Sequence, residues 1–160
     1  MRVAGSIGSV ATIRVSTVID ADREHVWQSV EDISSHVDCM ADAIAIRFRS
    51  DQRSGLGTTF ECDTRIGPFK LTDEMEITEW TDGEAMGVDH TGLVTGSGRF
   101  TLLPAGPQRT EFRWEETLEF PTWMGGPLRN PVGGRILEFV WRRNLRRLTA
   151  LVETAAHEKT

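Results

Sequence analysis

The sequence predicts an α+β domain in which a seven-stranded antiparallel sheet curls around one long C-terminal helix, with two short helices after the first strand. Three observations carry this. The stretch from Pro131 to Ala156 places Leu137, Val140, Trp141, Leu145, Leu148, Val152 and Ala155 at steps of three and four, one apolar stripe at the helical period. Upstream, segment after segment alternates apolar and polar residues with a period of two, as a sheet with one buried face requires. The connections between those segments are short, which makes consecutive strands antiparallel neighbours. No other long helical pattern exists, so the sheet is the partner the stripe needs.

Val10 to Ile19 alternates Ile13, Val15 and Ile19 against Thr12, Arg14 and Ser16 and forms the first strand. Asp20-Ala21-Asp22 ends it, and either aspartate can cap the helix that follows by accepting from the free amides of its first turn. Val26, Val30 and Ile33, with Trp27, give Arg23 to Asp32 one buried face. A further turn or two is expected near Ser34 to Met40. Strands then follow over Ala43 to Phe48, Thr58 to Ile66, Phe69 to Trp80, Ala85 to Thr91, Arg99 to Leu103 and Thr110 to Phe120, with Thr91 to Ser97 as a loop. Gly67-Pro68 and Thr81-Asp82-Gly83 supply turns. A linker from Pro121 leads into the long helix. Residues 1–160 are expected to form a single domain with its core over about 10–156.

The charge balance, 18 Lys and Arg against 24 Asp and Glu, argues against nucleic acid as a partner, because phosphate contacts dominate that affinity. Met1 to Ser9 lacks the apolar centre of a signal peptide, and no run approaches the roughly 18 apolar residues of a membrane span, so a cytoplasmic protein without stable membrane insertion is expected. Cys39 and Cys62 have no metal-type spacing and are expected to remain thiols; no metal site and no cofactor is indicated.

The order of elements, together with Ile19-Asp20-Ala21-Asp22-Arg23-Glu24-His25-Val26-Trp27 and the following Asp32, resembles the helix-grip SRPBCC superfamily. That superfamily includes START lipid-transfer domains, birch-pollen-allergen-like proteins and polyketide cyclase/dehydrase-like proteins, and the quoted stretch is similar to its strand-to-helix entry I-x-A-x-x-E-x-V-W. The resemblance covers residues 10–155. It implies a cavity between sheet and helix that takes lipids, polyketides, hormones or other apolar molecules, and it speaks to the fold more than to the chemistry.

The strand phases expect Phe60, Cys62, Leu71, Met75, Val88, Phe100, Phe112 and Trp114 to wall such a space from the sheet, and Leu137, Val140, Trp141 and Leu145 to wall it from the helix. Three residues break the apolar phase. Asp73 stands among Leu71 and Met75, Glu116 between Trp114 and Leu118, and His90 after Met86 and Val88. A carboxylate in a dry space costs several kcal/mol unless paired, hydrated or protonated. The three are therefore candidates for the convergent polar groups of an apolar pocket, and for acid or base work. The alternative is that they bond to one another or to water. No arginine reads inward in these strands, so at least one of the two carboxyls is expected to be protonated near neutral pH or hydrated. The glycine-rich run Gly92 to Gly98 joins strands rather than opening a helix, which removes a phosphate-cradle reading.

Two functions remain open: binding or carrying an apolar small molecule or lipid, and a polyketide cyclase/dehydrase-like reaction using Asp73, His90 or Glu116 as catalytic groups. The absence of tyrosine lowers the supply of carbonyl-polarising donors and favours binding. Trp123, Met124 and Leu128 suggest either an apolar lip at the cavity mouth or packing where the helix begins, and Arg142, Arg143, Arg146 and Arg147 a solvated face paired with acidic neighbours. A homodimer surface is a further use open to these two features.

Overall fold

The computed structural model describes residues 9–124 and 131–158. Strand β1 (Ser9–Ile19) is followed by helix α1 (Arg23–Val30), a 3₁₀ turn (Ile33–Ser35) and the one-turn helix α2 (His36–Cys39). Strands β2 (Ala43–Phe48), β3 (Thr59–Ile66), β4 (Phe69–Thr81), β5 (Ala85–Thr91), β6 (Thr95–Pro104) and β7 (Thr110–Phe120) come next, and helix α3 (Pro131–Glu158) closes the chain. The seven strands form one antiparallel sheet in the order β1-β7-β6-β5-β4-β3-β2. The chain thus starts at one edge, crosses to the other through α1 and α2, and meanders back.

Local chemistry sets the elements. Asp22 caps α1, accepting from the His25 amide at 2.9 Å, and Asp32 caps the 3₁₀ turn through the Ser34 amide at 3.0 Å. Helix α1 ends at Val30, earlier than the apolar spacing suggests, because Asp32 starts a new cap. β6 begins at Thr95, so part of the expected Thr91 to Ser97 loop is strand. There the pairing continues through Gly96 and Gly98, which carry no side-chain signal to read. Gly96 has φ +136°, and a Cβ on it would meet the Thr117 carbonyl oxygen at 1.9 Å, so this position requires glycine.

The buried faces follow the alternation. Ile13, Val15 and Ile19 of β1, Phe112, Leu118 and Phe120 of β7 and Leu102 of β6 join Leu137, Leu145, Leu148 and Val152 of α3 in one core. At the end of the stripe Ala155 is exposed and Ala156 packs instead, a small drift of phase along 28 residues. Helix α3 lies against β1 and also meets α1 and α2, rather than running over the middle of the sheet. Trp27 of α1 leans edge-on against Trp80 of β4, with ring centroids 5.2 Å apart, and covers the sheet at its other end.

Candidate functional site

The off-centre helix leaves a cavity of about 130 Å³ over β2 to β7. An apolar cavity of roughly 150 Å³ takes a benzene ring, so this space suits one ring-sized molecule. Of the residues expected at its wall, Phe60, Cys62, Leu71, Asp73, Met75, Val88, His90, Phe100, Trp114, Glu116 and Trp141 line it. Phe112, Leu137, Val140 and Leu145 do not. Phe112 is buried and stacks on Phe100 at 5.0 Å between ring centroids, while Leu137 and Leu145 are core residues of a helix set against β1. Among the described residues of α3, Trp141 and Asn144 alone reach the cavity.

All three polar candidates are buried, each at most 7% exposed. Asp73 on β4, His90 on β5 and Glu116 on β7 form one group: Asp73 Oδ2 bonds His90 Nδ1, and Glu116 Oε1 lies 3.6 Å from His90 Nε2, too long for a hydrogen bond but close enough for charge attraction. Burial opposes the imidazolium, but the bond to Asp73 and the pull of Glu116 outweigh it and push the His90 pKa up to about 10. The expectation that the carboxyls lack a cationic partner is corrected here. The partner is His90 itself, which the strand phase had placed beside them without showing contact. Arg99, which also borders the cavity, is engaged by Glu79 at 2.6 and 2.9 Å.

The geometry that joins these residues comes from β6. His90 pairs with Gly96 and Val88 with Gly98 on one side of that strand; on the other, Gly96 faces Leu118 and Gly98 faces Glu116. Two glycines in the inward phase leave the strand between β5 and β7 bare, and Glu116 leans across it. A Cβ at position 98 would stand 2.7 Å from Glu116 Oε1. Sequence reasoning missed Gly98 because a glycine shows no phase; its signal was the inward register shared with Phe100 and Leu102.

Further strand residues, Ile46, Thr64, Ile77, Met86, Leu118 and Phe120, also line the cavity, and another part of the wall was missed because it comes from a segment without strand alternation. Ile33, His36, Met40 and Asp42 border the cavity near α2. His36 is half-buried, and burial holds its pKa below the usual value while its Nε2 bonds the Val30 carbonyl at 2.7 Å. Asn144, 2% exposed, accepts from the Ala41 amide at 3.0 Å and donates to Asp42 Oδ1 at 2.7 Å, tying this segment to α3. Cys62 has its thiol pushed up to about 11 by burial and is no nucleophile.

Four buried polar atoms have no hydrogen-bond partner among the described residues: Asp73 Oδ1, His90 Nε2, Glu116 Oε2 and Trp141 Nε1. All four belong to residues of the cavity wall. Among the described residues no three His, Cys, Asp or Glu side chains are placed to hold a metal ion, and no helix is long and apolar enough to cross a membrane. Trp123 is exposed, Leu128 lies outside the described residues, and the arginines of α3 are exposed, with Arg142 paired to Glu138 at 2.8 Å.

Solved structures share this architecture. The chain superposes on TTHA0849 from Thermus thermophilus with a TM-score of 0.77 and 20% identity, covering 90% of this chain and 98% of that one. It is similar to a START superfamily protein from Mycobacterium smegmatis (TM-score 0.66, 14% identity, 93% and 99% covered). It is similar also to the Zhui aromatase/cyclase from Streptomyces sp. R1128 (TM-score 0.69, 12% identity, 94% and 95% covered). At these identities the likeness is one of fold. No curated protein sequence matches the chain significantly. The family model for polyketide cyclase/dehydrase and lipid transport proteins matches residues 10–153, which span both the sheet and the helix that enclose the cavity, and the chain therefore belongs to that family.

Proposed function

We propose that the protein binds a small, largely apolar molecule in the cavity between sheet and α3, with Asp73, His90 and Glu116 orienting its polar end. The observation that carries this reading is the set of four unpartnered buried polar atoms on a largely apolar and aromatic wall. Each such atom costs about 1–3 kcal/mol, and a ligand with matching groups removes that cost. The cavity's size favours a single ring over a full-length lipid unless the helix moves. Native mass spectrometry of freshly purified protein tests the reading: a co-purified small molecule, lost in the Asp73→Asn/Glu116→Gln variant, supports it. A protein that carries nothing and shows no shifts with small aromatic probes speaks against it.

A second reading, ring closure or dehydration of a poly-keto chain, is favoured by the bonded Asp73–His90 pair facing a further carboxylate. A histidine that keeps its proton to about pH 10 is poorly matched to proton exchange at neutral pH, so base work would fall to Glu116. Turnover of a model poly-keto substrate that is abolished by Glu116→Gln would establish this reading over simple binding.

A further inference from the structure

We propose that the polar end of the ligand is a protonated amine, so that the cavity selects a ring-sized organic cation over a neutral or acidic molecule. The inference rests on the binding reading above and names the ligand class of the same site.

Charge around the cavity is the first ground. Among the described residues its wall holds three carboxylates, Asp42, Asp73 and Glu116, and the basic groups His36, His90 and Arg99. Arg99 is committed to Glu79 through two bonds, at 2.6 and 2.9 Å. His36 is kept neutral by burial and bonds the Val30 carbonyl. Asp42 accepts from Asn144. That leaves one imidazole facing two carboxyl groups. His90 bonds one oxygen of Asp73, and Glu116 stays at 3.6 Å. The group therefore sets two carboxyl groups against one imidazole, and only one of the two is hydrogen-bonded to it.

Donors and acceptors are the second ground. Asp73 Oδ1 and Glu116 Oε2 are acceptors without partners among the described residues, while the unpartnered His90 Nε2 already faces Glu116 Oε1 at 3.6 Å. An ammonium group brings up to three donors and one positive charge, which answers both needs at once. A hydroxyl brings one donor and no charge, and a carboxylate adds a like charge. The remaining wall suits the rest of such a ligand: Phe60, Phe100, Trp114 and Trp141 supply aromatic faces, which attract a cation. Trp141 Nε1, unpartnered on the helix side, can take an acceptor at the ligand's far end.

The third ground is that the fold makes room for the second carboxyl group, that of Glu116. Gly98 stands where any other side chain would meet the Glu116 carboxylate, although its own backbone is outside the left-handed region that demands glycine. The bare position serves Glu116.

The test compares benzylamine, benzyl alcohol and benzoate, which share a ring and differ in the polar end, by NMR titration and calorimetry on the full chain. Benzylamine is expected to bind about tenfold or more tightly than benzyl alcohol, a typical worth for a charge-assisted bond, with benzoate weakest. Glu116→Gln is expected to bring the amine and the alcohol within about twofold of each other, and Asp73→Asn serves the same purpose if that variant folds poorly. Equal binding of alcohol and amine, or an amine preference that survives both variants, overturns the amine class and leaves cavity binding intact. No binding of any of the three overturns the binding reading and this inference with it.

Discussion

Gly98 faces Glu116 directly across the β6–β7 ladder, and the space a Cβ would occupy on Gly98 is taken by the Glu116 carboxylate, 2.7 Å away at Oε1 and 2.8 Å at Cγ. The pair couples a backbone position to the chemistry of the cavity. Gly98→Ala is expected to destabilise the protein by about 1–3 kcal/mol through overpacking. In a Glu116→Ala background the same change should be neutral or slightly stabilising, since alanine suits a strand better than glycine by roughly 0.5–1 kcal/mol. Urea unfolding of the four proteins in this cycle measures the coupling; an identical cost in both backgrounds would show that Gly98 serves something other than Glu116.

His90 should remain protonated well above neutral pH. Its folded-state pKa of about 10 lies above the unfolded value near 6.5, so its contribution to stability is fully present below about pH 6.5 and is lost as pH rises towards 10. The contribution is on the order of a few kcal/mol. Ring ¹⁵N shifts at pH 8 are expected to show the doubly protonated imidazolium, and Asp73→Asn should move the titration down towards the ordinary range. A His90 that titrates near 6.5 in the wild-type protein refutes the charge assignment.

Asn144 holds the Ala41–Asp42 segment to α3 through two bonds at 3.0 and 2.7 Å, and it is 2% exposed. Asn144→Leu removes both and leaves the Ala41 amide and the Asp42 carboxyl without these partners. A loss of about 1–3 kcal/mol is expected, with hydrogen exchange of the Ala41 amide accelerated beyond what the global change accounts for. If exchange at Ala41 follows global unfolding alone, the clamp has no local role.

The buried thiols give a reading of access to the cavity. Cys39 and Cys62 are both buried, with burial pushing each thiol up to about 11, so a thiol reagent at pH 8 should label the folded protein slowly and the unfolded protein at once. In a Cys39→Ser variant, labelling reports Cys62 and hence opening of the cavity wall it belongs to. Rapid labelling of Cys62 in the folded state would mean that the cavity is open to solvent.

The candidate site was legible in part. Asp73, His90 and Glu116 could be found because each interrupts an apolar phase, and strand register carries phase reliably where pairing is regular. The bulges lie at Ala43/Ala45 and Ile77/Glu79, away from these three, so their side chains stayed on the inner face. Their contact was not legible. Asp73 and His90 meet diagonally across neighbouring strands, and His90 and Glu116 meet over an intervening strand whose glycines leave the way clear.

The sequence by itself determined the α+β architecture, the inward faces of the strands except at the bulged start of β2, where Ile44 is exposed, and the helix stripe, because periods of 2 and 3.6 are properties of local backbone geometry that side-chain polarity records directly. The tertiary structure alone decided which inward residues became cavity wall. Helix α3 lies against β1, which sends Leu137 and Leu145 into the core and leaves Trp141 and Asn144 at the cavity. The placement of one element over another depends on the curl of the whole sheet and on the summed packing of both surfaces, which no single stretch of the chain records.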